Sequence, residues 1–159
     1  MRVADYKELR VYNLAYNSAM EIFRLSRNWP SEERFSLIDQ IRRSSRSVCT
    51  NIAEAWRKRR YEAAFVSKLS DSDTEAAETE VHLSFAFDCG YLPRDKKVNL
   101  QDDYDHICRQ LTNMMHDAAS WCGSGGELRE VPAEYLVERP VRSEPGKLEG
   151  TDAPDAPRS

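Results

Sequence analysis

With 159 residues, 40% of them hydrophobic and 31% charged, the chain is long enough for one domain with a real core, and its charge points to a helix-rich surface. No uninterrupted apolar run approaches the ~20 residues of a bilayer span, and the opening MRVADYKELR lacks a leader's apolar stretch, so a cytoplasmic protein without membrane contact is expected. The formal charge of -4 conceals a split: residues 34–60 carry eight basic and two acidic side chains (net +6), residues 71–105 three basic and ten acidic (net -7).

Between residues 1 and 122 the prolines are Pro30 and Pro93 and the glycine is Gly90, so breakers fall at two places and long periodic segments lie between them. The first helix is expected from about Tyr6 to Asn28, stopped by the approach to Pro30, because a residue before proline avoids the helical region. Its Leu9, Tyr12, Tyr16, Ala19 and Phe23 cover one face and Val11, Ala15 and Ile22 widen it, while Leu14 and Leu25 lie nearly opposite. Apolar surface of that extent, with Phe85 further along, predicts a homo-oligomer, with scattered exposed hydrophobic side chains as the alternative.

Ser31 is the expected N-cap of the second helix, followed by Glu32 and Glu33, whose charge suits the positive end of a helix dipole. At 100° per residue, Leu37, Ile38, Ile41, Ser45, Val48, Ile52, Ala55 and Trp56 form one stripe, which is the expected core face. The third helix, from about Arg60 to Cys89, repeats the pattern with Phe65, Leu69, Ser72, Ala76, Leu83 and Ala86, and Gly90 supplies a left-handed cap. In the fourth, Leu100, Tyr104, Ile107, Leu111, Met114, Ala118 and Trp121 alternate by four and three. Four such helices with short connections predict an all-α fold, an up-down-up-down antiparallel four-helix bundle over residues 1–122.

Residues 123–159 hold five of the six glycines and five of the seven prolines and read as a disordered acidic tail. Within it VPAEYLV, Val131 to Val137, is expected to be loosely tethered, with docking as the alternative. The four cysteines, Cys49, Cys89, Cys108 and Cys122, show no CxxC spacing, so small buried reduced residues are expected rather than a disulfide framework or a zinc site.

Arg42, Arg43, Arg46, Thr50 and Arg57 project well off the core stripe of the second helix, and Lys58, Arg59 and Arg60 add a cationic cluster where it ends. Arginine forks on one face suit phosphate oxygens. Arg42, Arg43, Arg46, Arg57, Lys58, Arg59 and Arg60 are therefore the candidate nucleic-acid-binding residues. Two alternatives stand beside that reading: pairing with the acidic stripe Asp71, Glu75, Glu78 and His82 of another subunit, and a solvated surface whose terminal cluster the helix dipole favours anyway. Asp103 and His106 have one i, i+3 spacing, short of the doubled Glu-x-x-His of a di-iron bundle, so no metal or cofactor is expected. Ser44, Ser45 and Ser47 have no histidine near in sequence and no glycine-rich loop exists to cradle phosphate. A non-enzymatic protein is the expectation, with those serines as close-packing residues.

The run Gln40 to Ala55, QIRRSSRSVCTNIAEA, resembles the signature of the bacterial four-helix proteins encoded in intervening sequences of 23S ribosomal RNA genes, a family similar to the accessory variability determinant of diversity-generating retroelements. Gln40, Ile41, Arg42, Arg43, Ser47, Asn51, Ile52, Ala53 and Glu54 match its usual QIRRAAxSIPxNIAEG-like run. Tyr6, Leu9, Val11 and Ala15, then Glu62, Phe65 and Glu75, then Gly90, Tyr91 and Leu92 resemble its flanks, from about residue 5 to 121. Cys49 replaces the family's proline, so a weaker kink or none is expected in the second helix, and Ala55 replaces its glycine. The resemblance implies a bundle assembled into a ring, commonly a pentamer, that meets RNA or DNA or, in the retroelement relatives, a reverse transcriptase and its RNA. The function expected is a scaffold binding nucleic acid through the second helix; the alternative is a protein-interaction module whose basic face docks an acidic partner or a sister subunit.

Overall fold

The computed structural model of the chain describes residues 5–123 and 130–138. Residues 1–4, 124–129 and 139–159 lie outside the described residues, and with them most of the tail expected to be disordered.

Four long helices carry the fold: α1 (Arg10–Ser26), α2 (Leu37–Arg57), α3 (Glu62–Asp88) and α4 (Arg94–His116), followed by the single turn α5 (Ala118–Trp121). Each packs against two neighbours, α1 on α2, α2 on α3, α3 on α4 and α4 back on α1, which closes the expected up-down-up-down bundle. The core residues expected of α2, α3, α4 and α5 are all buried. Cys49 leaves α2 unbroken, since its amide keeps the ladder bond that a proline would delete.

The helix starts differ from the expected ones for local reasons. Tyr6–Glu8 form a separate 3-10 turn and Leu9 is extended, so α1 begins at Arg10, with the Asn13 amide donating to the Leu9 and Lys7 carbonyls at 2.7 and 2.6 Å. Ser31 opens a 3-10 turn rather than α2, which begins after Ser36. The Glu33 carboxylate explains this: it accepts from the Ser36 hydroxyl and, at 3.3 Å, from the Leu37 amide, so it takes up one of the orphan N–H groups at the start of α2.

The end of α3 is as expected. Gly90 sits at φ +80°, Gly90 N–H donates to Phe87 O and Tyr91 N–H donates to Ala86 O, both at 2.9 Å, which is the Schellman arrangement. Two buried side-chain bonds hold α2 close to α3: the Ser72 hydroxyl donates to Val48 O and Thr79 Oγ1 to Ser44 Oγ, each at 2.9 Å. In α1 the inward face is Val11, Ala15, Ala19 and Ile22, whereas Tyr12, Tyr16, Leu14 and Leu25 are half-buried at its margins. Phe85 stays 58% exposed.

One expectation is corrected here. Val131 to Val137 is docked, not loosely tethered: Val131 is buried, Tyr135 meets Trp121 edge-on with ring centroids 4.8 Å apart, and Leu136 bridges Leu9. Val137 N–H donates to Glu8 O at 2.9 Å and Arg10 Nε to Leu136 O at 2.6 Å, so the start of α1 supplies the backbone partners. A second correction concerns cysteine: Cys49 and Cys122 are buried, but Cys89 at the end of α3 is exposed.

Candidate nucleic-acid interface

The outward side of α2 divides into two cationic regions. At its start, Arg34, Phe35, Ile38, Asp39, Arg42, Arg43 and Arg46 line a cleft of about 360 Å³. Arg42 forms its rigid wall: its Nε donates to Ser26 Oγ at 2.8 Å and its guanidinium lies 4.8 Å from the centre of the Phe23 ring. Burial, and after it the nearby Arg46 and Arg27, pull Arg42 below the usual arginine pKa. Arg46 leans on the same ring at 5.8 Å, so α1 presents an aromatic base to two arginines of α2. Arg43 and Arg46 are exposed at the rim.

Fourteen residues after Arg43, about 21 Å along the helix, Arg57 and Lys58 line a wider hollow with Tyr6, Ala53 and Glu54. Arg60 is exposed beside them. Arg59 is different and leaves the candidate set: it is 5% exposed, its guanidinium stacks 3.3 Å from the centre of a Trp56 ring, and its Nε donates to Trp56 O at 3.2 Å. That side chain covers the end of the core instead of facing outward.

The ion pairs of lysine and arginine among the described residues fall outside this face. Lys68 bonds Glu54 at 2.8 Å and Asp71 at 3.6 Å, Lys96 bonds Glu21 at 2.8 Å, and Arg24 lies 3.5 Å from Glu21. Among the described residues, Arg34, Arg43, Arg46, Arg57, Lys58 and Arg60 make no ion pair.

The other sequence candidates do not converge. In the acidic stripe Asp71 is held by Lys68 and Glu78 bonds His82 at 3.3 Å. Asp103 accepts from the Ser18 hydroxyl, while His106 lines a separate hollow with Arg10, Gln110, Asn113, Glu134 and Tyr135. Ser44 and Ser45 are buried and donate back to the carbonyls of Ile41 and Arg42, the bonding expected of close-packing serines.

Sequence reasoning missed Arg34 and Phe35 as parts of the site. Both fall in the α1–α2 connection, which was assigned to the second helix. The available signal was an Arg-Phe pair in a polar segment just after Pro30.

Among solved structures, the chain is similar to a protein of unknown function from the S23 ribosomal protein family of Bacteroides thetaiotaomicron, at 28% identity and a TM-score of 0.60, over 67% of this chain and 95% of that one. No curated protein matches. The family model described as 23S rRNA-intervening sequence protein matches residues 7–113, which includes α1 to α3, α4 as far as Asn113, and the whole arginine face of α2. The chain belongs to the 23S rRNA-intervening sequence protein family.

Proposed function

We propose that the protein is a non-enzymatic, homo-oligomeric scaffold that binds RNA or DNA through α2, with Arg34, Arg42, Arg43 and Arg46 at one end of the face and Arg57, Lys58 and Arg60 at the other. The observation that carries this reading is the clustering of Arg34, Arg42, Arg43 and Arg46 at one cleft, where none of them makes an ion pair among the described residues. Unneutralised guanidinium groups on a rigid helix lose little order when they meet phosphates. Exposed Val81 and Phe85, one turn apart on α3, supply apolar surface for subunit contacts, and a ring would multiply weak patches through effective concentration.

If the face engages about four phosphates, affinity falls roughly 100-fold between about 50 and 200 mM salt. Arg43→Glu with Arg46→Glu should weaken binding for every sequence alike, read by mobility shift with the oligomer mass followed by light scattering. Absence of binding at low salt by the intact oligomer sinks the proposal.

One observation favours the rival, a protein-interaction module whose basic face docks an acidic partner or a sister subunit. On the α3–α4 side, burial and then the neighbouring Asp105 raise the Glu80 carboxyl above its usual range, so acidic charge is also left without an internal cation. A sister subunit or a reverse transcriptase could bring that cation. Charge reversal at Arg43 and Arg46 that dissolves the oligomer supports this rival.

A further inference from the structure

Phe35 is 88% exposed, the most exposed of the large hydrophobic side chains among the described residues, and it stands at the cleft of Arg34, Arg42, Arg43 and Arg46. A lone exposed ring is ordinary on a protein surface, but this one shares a cleft with four arginines, which joins a π-face to phosphate-binding cations. Its position is built. Glu33, two residues earlier, is tied to Ser36, to the Leu37 amide and to the Tyr91 hydroxyl at 3.2 Å, which fixes the connection that carries the ring. The Arg34 guanidinium lies 5.4 Å from the ring centre, so one side of Phe35 is braced by a cation and the rest is open to solvent.

We infer that Phe35 is a stacking platform for an unpaired nucleobase, and that the nucleic acid meant for this face is single-stranded. The inference rests on the proposed binding role of α2 and names its substrate class. In a duplex the base faces are covered by their neighbours and an outward ring finds only backbone. In a single strand each base offers a π-face to an aromatic side chain while arginines follow the phosphates. The lining fits that division. Asp39 is the one acid in the cleft and disfavours phosphate inside it, which leaves the base within and the phosphates toward Arg43 and Arg46 at the rim. A second copy meeting it cleft to cleft is a poorer occupant, since identical cationic clefts repel, and a copy docking by another face would show as a changed oligomer mass.

The test compares Phe35→Ala with the natural protein, by fluorescence anisotropy at low salt, on a labelled unstructured single-stranded RNA and on the duplex with its complement. The variant changes an exposed residue, so folding is not at risk. The expected result is a loss of roughly 5- to 150-fold on the single strand with duplex affinity unchanged. Phe35→Trp adds an optical reading: Trp29, Trp56 and Trp121 are 7%, 6% and 1% exposed, so quenching by the single strand reports the new ring. Single-strand affinity unchanged in Phe35→Ala overturns the stacking role and leaves the arginine face standing. An equal loss on the duplex overturns it also, as does a changed oligomer mass, which makes Phe35 a subunit contact. Binding of neither RNA by the natural protein removes both readings at once.

Discussion

Arg59 and Arg57 are two residues apart in one basic run, and the structure gives them opposite roles that a pair of variants separates. Arg59→Ala removes the stacked Trp56 contact at 3.3 Å, the hydrogen bond from Nε to Trp56 O, and an aliphatic stem packed so that the residue is only 5% exposed. A desolvated cation–π contact contributes about 2 kcal/mol and a hydrogen bond from a charged donor about 1.5–3 kcal/mol, partly overlapping, so a loss of about 2–4 kcal/mol is expected. At a urea slope of about 2 kcal/mol/M this lowers the unfolding midpoint by roughly 1–2 M. Arg59→Lys should recover only part of it, because an ammonium lacks the planar fork that stacks. Arg57→Ala, at an exposed position, should leave the stability within about 0.5 kcal/mol of the natural protein and lower RNA affinity instead. An Arg59→Ala protein with an unmoved urea midpoint and weakened RNA binding would refute the assignment and return Arg59 to the interface.

Three further outcomes follow from the same geometry. Burial and then Asp105 raise the Glu80 carboxyl above its ordinary range, so the folded state holds that proton more tightly than the unfolded chain does; the ionised group weighs against folding at neutral pH, and this fades as pH falls through the raised value. Glu80→Gln keeps an acceptor for Gln101 Nε2, now at 2.8 Å, so its melting temperature should exceed that of the natural protein at pH near 7, with the gap closing in acid. Of the four cysteines, exposed Cys89 should react promptly with a thiol reagent, while burial, which pushes Cys49 and Cys108 up to about 12, keeps those two slow until denaturant is added. Tyr135→Ala removes the edge-on contact with Trp121, worth about 0.5–1.5 kcal/mol beyond area, and should lower the melting temperature and speed proteolysis beyond Trp121.

The bundle was legible because its helices obey one period and its core stripes need no knowledge of distant residues. Leu100 through Trp121 could be read as buried from spacing alone, and Gly90 as a cap from its lack of a side chain. The misplacements came from contacts that sequence distance hides. Glu33 draws the start of α2 to Ser36 through a reach of three and four residues, and Tyr91, far along the chain, secures the same carboxylate. Leu9 and Leu136 pair across the whole domain, which composition, dominated by the glycines and prolines around VPAEYLV, argued against. On α2, the helical angle placed Arg43, Arg46 and Arg57 off the core, and all three are exposed. Arg59 was misread because it lies beyond the last turn of α2, where the angle no longer applies and the chain folds back over Trp56.

The nucleic-acid reading and the sister-subunit reading make incompatible demands on the same arginines. In a ring built from heterologous contacts, one face of each copy meets a different face of the next, so a basic α2 laid against the acidic α3–α4 edge would be neutralised at every interface. Such a ring loses the free cations that phosphate binding requires, and high salt would dissolve it. A ring closed instead through apolar side chains such as Val81 and Phe85 keeps α2 outward and grows no weaker with salt, because hydrophobic contact is not screened. Oligomer mass across a salt series therefore tests the RNA interface without any RNA: constant mass leaves the arginines available, and a mass that falls with salt places them between subunits.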